Sequence, residues 1–166
     1  MASETVIAYL DIETTGLSLL RDTITVVGIG VECRGTFKVD QAIHPHVNRQ
    51  WISDSLRGVD TLYTYNGSCF DLPFITVRTG LDLTRYVRHR DLKFACWTKG
   101  LFGGLKAVER VLGIPRVQDI GGRDAVRLWN DYMAHSDNAA LKTLLDYNKE
   151  DVVNLKALRE RLSVGG

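Results

Sequence analysis

Cysteine is scarce in this chain, three residues in 166. Cys33, Cys69 and Cys96 are scattered, with no Cys-x-x-Cys spacing. That excludes a disulfide framework and a cysteine-ligated zinc site, and leaves an expectation of small buried or half-buried thiols in a reducing cytoplasm. Long apolar runs are missing too. No stretch approaches the roughly 20 residues that span a bilayer, and MASETVIAYLD lacks the basic-then-apolar layout of a secretory signal, so no membrane association is expected. Net charge is nearly absent, with 21 basic against 20 acidic residues, which removes any strong electrostatic footprint of the molecule as a whole. Gly100–Gly104 lacks the Lys-Ser/Thr signature of a phosphate-binding loop and reads as a flexible lead-in to the helix that follows. His44-Pro45-His46 has no Cys or acidic partner at ligand spacing and reads as a loop. His89 and His135 read as surface or satisfied polar residues. Repeats, low-complexity tracts and linkers are absent, so residues 1–166 are expected to form one domain with a proper core.

What is present is an ordered run of elements. Thr5–Ile12, Ile24–Glu32 and Gly35–Ala42 have strand character and short connections, which predicts an antiparallel meander. ITVVGIGV in the second is almost continuously apolar, as in a strand covered on both faces. Asn48–Leu56 is weakly helical, Thr61–Tyr65 is a short strand ended by Asn66-Gly67, Leu72–Thr79 is a helix, and Arg85–Asp91 is a fifth strand. Leu105–Leu112 is predicted helical with Leu105, Val108, Val111 and Leu112 inward, closed by Gly113 and Pro115. Asp124–Met133 follows with Val126, Trp129, Tyr132 and Met133 inward. Ala139–Leu162 keeps a leucine-rich stripe at helical spacing, as one kinked helix or as two with Asn148 capping the second. The expectation is an α/β mixed sheet of five strands flanked by helices.

Four acids stand within or beside apolar runs: Asp11 and Glu13 in YLDIETTGL, Asp71 in YNGSCFDLPFI, and Asp151 in YNKEDVVNL. An unpaired carboxylate there is costly, and the first two segments contain no Lys or Arg. Residues i and i+2 of a strand share a face, so Asp11 and Glu13 converge, and without a cation one of them would protonate. Tyr147 and Asp151, four apart, share a face of a continuous helix. Singly, Asp71 reads as a helix N-cap, Tyr147 as a core tyrosine, and Asp11 and Glu13 as strand-end acids. Together they point to divalent cations and phosphodiester chemistry. Oxygen-only ligands suit Mg²⁺ or Mn²⁺ rather than zinc. Asp91 reads as the N-cap of Leu92–Trp97. Between Arg78 and Arg127 eleven basic residues stand against five acids, either as solvated helix faces or as a basic rim that holds phosphates.

DIETTGL, YNGSCFDLPFI and YNKEDVVNL resemble the three exonuclease motifs of the DEDD (DnaQ-like) superfamily within the ribonuclease H-like fold, and a Tyr four residues before the last Asp marks the DEDDy branch. The middle motif resembles the YNxxxFDLP segment of family B DNA polymerase proofreading domains. HRDLKFACW, GGLKAVERVLGIPR and LWNDY are similar to stand-alone ribonuclease H-like exonucleases of prokaryotes. The resemblance runs from about Val6 to Leu162. It implies a 3′→5′ exonuclease acting on single-stranded DNA or RNA 3′ ends with two divalent cations. Asp11, Glu13 and Asp151 would bind the first, Asp11 would bridge to the second, and Asp71 would hold the second through waters. Tyr147 would orient the attacking water, since a phenol with a pKa of roughly 10 is a poor base at neutral pH. Thr14 and Leu17 would touch the terminal nucleotide. A noncatalytic nucleic-acid-binding module and a ribonuclease H-like endonuclease are the alternatives.

Overall fold

Alternation along the first strand sorts the molecule into layers. In the computed structural model, which describes residues 5–164, β1 (Ile7–Thr14) sends Ala8, Leu10 and Ile12 to one face and Ile7, Tyr9, Asp11 and Glu13 to the other. The first set joins a core with Ile52 of α1 (Arg49–Ser55) and with Leu72, Phe74 and Ile75 of α2 (Asp71–Thr79). On the second face Ile7 and Tyr9 pack with Val152, Leu155 and Leu158 of α6 (Asn138–Leu162).

β2 (Ile24–Cys33) and β3 (Thr36–Ile43) extend the sheet antiparallel from one side of β1. β4 (Thr61–Thr64) and β5 (Arg88–Asp91) extend it in parallel from the other. The order is β3-β2-β1-β4-β5, the five-stranded mixed sheet expected from the sequence. α3 (Leu92–Trp97), α4 (Leu105–Leu112) and α5 (Gly122–His135) lie on the α6 side. The apolar run of β2 carries a second message in its glycines. A Cβ on Gly28 would stand 2.3 Å from Asn148 Oδ1, and one on Gly30 would stand 2.9 Å from Val152. The missing side chains let α6 settle directly on the sheet. Gly28 pairs with Asp11 in the register, so the close approach falls beside the acids.

α6 is one continuous helix of 25 residues, about 37 Å long at 1.5 Å per residue. Its cap is Asp137, which accepts from the Ala139 and Ala140 N–H groups; Asn148 is buried mid-helix. β1 begins at Ile7 and pairs through Thr14, so Asp11 and Glu13 lie inside the ladder, with an irregularity at Glu13/Thr14. β5 begins at Arg88 because the chain before it winds a 3₁₀ turn, Leu83–Arg85, capped by Asp82.

Two predicted inner faces are corrected. In α4 the stripe at i, i+3, i+4, i+7 is Leu105, Val108, Glu109 and Leu112; Val111 is off it and 70% exposed, whereas Glu109 is 1% exposed. In α5 the same spacing selects Ala125, Leu128, Trp129 and Tyr132, so Met133 faces out, and Val126 is half-buried. Cys69 is exposed rather than buried, while Cys33 and Cys96 are half-buried and buried. His89 is half-buried and hydrogen-bonded to the Thr64 hydroxyl at 2.9 Å, and burial lowers its pKa. Asp91 caps α3 through the Lys93 N–H and also accepts from the Asn66 and Ser68 N–H groups, which ties the turn after β4 to β5.

Candidate active site

At the C-terminal end of β1 the strand delivers Asp11 and Glu13 to the α6 face, and α6 returns Asp151 one turn beyond Tyr147. One carboxylate oxygen from each of Asp11, Glu13 and Asp151 lies within 4.8 Å of the others. At that separation two full negative charges repel by about 3.5 kcal/mol at an effective dielectric of about 20. Three such pairs cannot persist ionised without a cation. Burial drives the Asp11 carboxyl well above the usual carboxylate range, and Asp151, Glu13 and Asp71 add to the push. Burial does the same to Glu13, followed by Asp151.

Asp11 and Asp71 are held by distinct local devices. Asn148, fixed by Gln41 at 2.9 Å, donates to Asp11 Oδ2 at 2.9 Å and to the Asp11 carbonyl. Asp71 is the first residue of α2 and its cap position is Phe70. The carboxylate therefore does not cap its own helix; Asp71 Oδ1 accepts from the Ile12 N–H at 3.1 Å, binding the helix start to the middle of β1. The four-residue set thus divides: Asp71 is 4% exposed, faces the others closely enough to raise the Asp11 pKa, and is not part of the three-oxygen cluster. Burial pushes the Asp71 carboxyl up to about 7, against the pull of backbone N–H groups including that of Ile12.

Arg116, in the sequence one member of a basic stretch, is the cation at the cluster. Its Nε and Nη2 donate to the two oxygens of Glu109 at 2.6 Å each, and Nη2 also reaches Asp151 Oδ1 at 2.5 Å. Asn154 donates to Glu109 from the next turn of α6. Burial raises the Asp151 pKa to about 6 even though Arg116 opposes it. Burial works against the Arg116 charge, but Glu109 and Asp151 outweigh it and raise its pKa. The signal in the sequence was indirect: a glutamate on the inward stripe of α4 needs a buried partner. Asp11, Glu13, Glu109 and Asp151 together still carry four carboxylates against this one guanidinium. The donor set of three oxygens, the remaining excess of acid and, among the described residues, a cluster without nitrogen or sulfur ligands fit a hard divalent cation.

Tyr147 is 8% exposed. Lys106 Nζ and the Arg116 guanidinium lie 5.6 and 5.9 Å from its ring centroid. Burial and then the charges of Asp151, Glu13 and Asp11 hold its pKa far above the normal range. A phenol so placed keeps its proton at neutral pH.

Thr14 and Leu17 meet in one cleft of about 580 Å³ together with Ile12, Glu13, Phe70, Arg123 and Val126. Leu17 is 83% exposed on the loop after β1. Asp22 braces that loop, accepting from the Ser18 N–H and the Thr15 hydroxyl. Thr14 is buried, and its hydroxyl donates to the Gly16 carbonyl at 2.6 Å. An apolar slot with a carboxylate floor is thereby placed beside the cluster.

A family model described as the RNase_H superfamily matches residues 8–163, and the chain belongs to that family. A solved structure described as the apo form of a nuclease superposes with a TM-score of 0.60 at 24% identity, over 95% of this chain and 71% of the other. Brucella melitensis NrnC bound to pGG gives a TM-score of 0.59 at 20% identity, over 95% and 71%. A product-bound exonuclease I gives 0.50 at 15% identity, over 86% of this chain and 49% of that one. These likenesses establish a shared ribonuclease H-like fold. No curated protein sequence matches the chain.

Proposed function

We propose that this chain, a member of the RNase_H superfamily, is a DEDDy-type 3′→5′ exonuclease that releases nucleoside monophosphates from single-stranded DNA or RNA using two divalent cations, Mg²⁺ or Mn²⁺. The observation that carries the reading is the trio of Asp11, Glu13 and Asp151 oxygens within 4.8 Å beside the cleft of Thr14 and Leu17. Asp11, Glu13 and Asp151 would hold one ion; Asp11 and Asp71, the latter through water, would hold the other. Bound there, the ions supply Lewis-acid stabilisation of charge on the phosphodiester oxygens and make water more acidic.

The protein's own groups do the rest. Leu17, Phe70 and Val126 enclose the terminal nucleoside and exclude water from its apolar face, while Thr14 and Glu13 face its sugar end. Tyr147 keeps its proton and donates it in a hydrogen bond that aims the attacking water at phosphorus. The water oxygen forms the new P–O bond and gives up a proton to solvent, and the bond to the 3′ oxygen of the preceding nucleotide breaks, that oxygen taking a proton from solvent. NrnC, solved with the oligonucleotide pGG, supports a nucleic-acid substrate for this fold.

A noncatalytic binding module is favoured by one observation, the contact of Arg116 with Asp151. One experiment separates the readings: 5′-labelled single-stranded DNA and RNA incubated with Mg²⁺, Mn²⁺ or EDTA. The expected result is a ladder shrinking from the 3′ end that EDTA and Asp11→Asn abolish. Binding without cleavage in either metal would support the module, and internal cuts would support an endonuclease.

A further inference from the structure

The segment from Leu92 to Val108 contains Lys93, Lys99 and Lys106 and no acid. Interleaved with the lysines are Phe94, Trp97 and Phe102, which are 46%, 44% and 69% exposed. Rings of that size are normally buried, and a cluster of exposed ones marks a surface that meets something. Phe94 and Trp97 stand edge to face at 5.3 Å, and Lys93 Nζ lies 5.4 Å from the Trp97 ring. Trp97, Phe102 and Lys93 form a groove of about 610 Å³ with Tyr65 and Asn66.

The groove is built rather than incidental. The Tyr65 hydroxyl donates to the Gly103 carbonyl at 2.6 Å and pins the loop before α4 against the end of β4. Lys93 Nζ donates to Asn66 Oδ1 at 3.0 Å. Gly100 and Gly103 take φ of 70° and 107°, a backbone that side chains resist.

Its position relates it to the acids. β1, β4 and β5 are parallel, so Glu13, Tyr65 and Lys93 all lie at the C-terminal ends of these strands. One wall, Tyr65–Asn66, runs within a few residues to Phe70 of the Leu17 cleft, a path of at most roughly 20 Å. The other wall ends at Gly104, two residues before Lys106, whose ammonium lies over the Tyr147 ring.

We infer that this groove is a second binding site, for the single strand upstream of the nucleotide in the cleft, with bases stacking on Trp97 and Phe102 and phosphates meeting Lys93 and Lys99. Exposed rings interleaved with cations, with no carboxylate among the lining residues and Asp91 behind them engaged by the Asn66 and Lys93 N–H groups, suit a polyanion that carries flat bases at short intervals, which no purely acidic or purely apolar partner matches. The inference rests on the proposed function and sets the substrate: strands of several nucleotides are preferred to dinucleotides, without a base-sequence preference.

The test measures binding in EDTA, where nothing is cut, and cleavage in Mg²⁺, with DNA and RNA of 2, 4, 8 and 12 nucleotides in each arm. In the wild type, affinity should rise with length by about a hundredfold before levelling, with quenching of tryptophan fluorescence. Trp97→Ala with Phe102→Ala should remove that gain, about tenfold per ring lost, while dinucleotide cleavage and thermal stability stay at wild-type values. Affinity independent of length, or a length gain that survives in the double variant, overturns the inference. So does a dimer in sedimentation that the double variant disperses. Length-dependent binding in EDTA without cleavage in any metal would leave the groove standing and sink the nuclease reading instead.

Discussion

Where Tyr9 of β1 meets Arg159 of α6, the charges close on themselves. Arg159 donates to the Tyr9 hydroxyl and to Glu32, Tyr9 donates to Glu32, and Lys156 lies 3.2 Å from the same carboxylate. Burial raises the Glu32 pKa, yet Tyr9, Lys156 and Arg159 outweigh it and the net shift is downward. Two residues further along the same strand and two turns earlier in the same helix, Asp11 and Glu13 meet Asp151, and there burial and neighbouring carboxylates push the pKa up. Strand, helix and packing are shared, so geometry does not separate the two regions. The first has a cation for its acid and needs nothing more. The second keeps an excess of acid at a cost in stability, which is the mark of a site shaped for a ligand rather than for the fold.

The contrast can be broken first at Arg116. Its side chain is 10% exposed and holds two buried carboxylates. Arg116→Met should therefore lower metal-free stability by about 3–5 kcal/mol, measured by urea unfolding. Added Mg²⁺ should recover part of the loss, because it would neutralise Asp151 though not Glu109. An equal loss with and without Mg²⁺ would show that Asp151 faces no ion.

A second effect is expected from pH. Asp71 and Asp151 sit at about 7 and about 6 in the folded protein against an ordinary value of 3.8. The folded, metal-free protein thus binds more protons than the unfolded chain between about pH 4 and pH 7, and its stability should fall as pH rises through that window. Saturating Mg²⁺ should flatten the slope. A metal-free melting temperature that climbs over the same range contradicts the assignment.

Tyr147→Phe removes a hydroxyl that stays protonated, so cleavage should slow about tenfold, near 1.4 kcal/mol in the barrier. Metal affinity should hold; an unchanged turnover removes Tyr147 from the chemistry. The smallest effect belongs to the balanced region. Glu32→Gln should cost less than about 1 kcal/mol, since its partners Lys156 and Arg159 are partly solvated, and should leave nuclease activity untouched. A loss of cleavage there would erase the distinction between the two regions.

The sequence made the near relationships visible. Alternation put Asp11 and Glu13 on one face, and four-residue spacing put Tyr147 with Asp151. What it concealed were partnerships across the chain. Arg116 lies 35 residues from Asp151 and Asn148 lies 137 residues from Asp11, and no periodicity links them. The same blindness explains the inner face of α4. Hydrophobicity favoured Val111, but Glu109 holds the stripe position because a guanidinium from the next loop meets it. In the sequence the glycines of β2 are part of an apolar run; the seat of α6 on Gly28 gives them their role.

The central claim is that the excess of acid at Asp11, Glu13 and Asp151 exists for divalent ions. Titrating Mn²⁺ into the protein and following the free-ion signal by electron paramagnetic resonance tests it without reference to any substrate. The wild type should deplete that signal, and Asp11→Asn, folded and at least as stable without metal, should leave most of it. A wild type that takes up no Mn²⁺, or an Asp11→Asn protein that binds it equally well, would contradict the account.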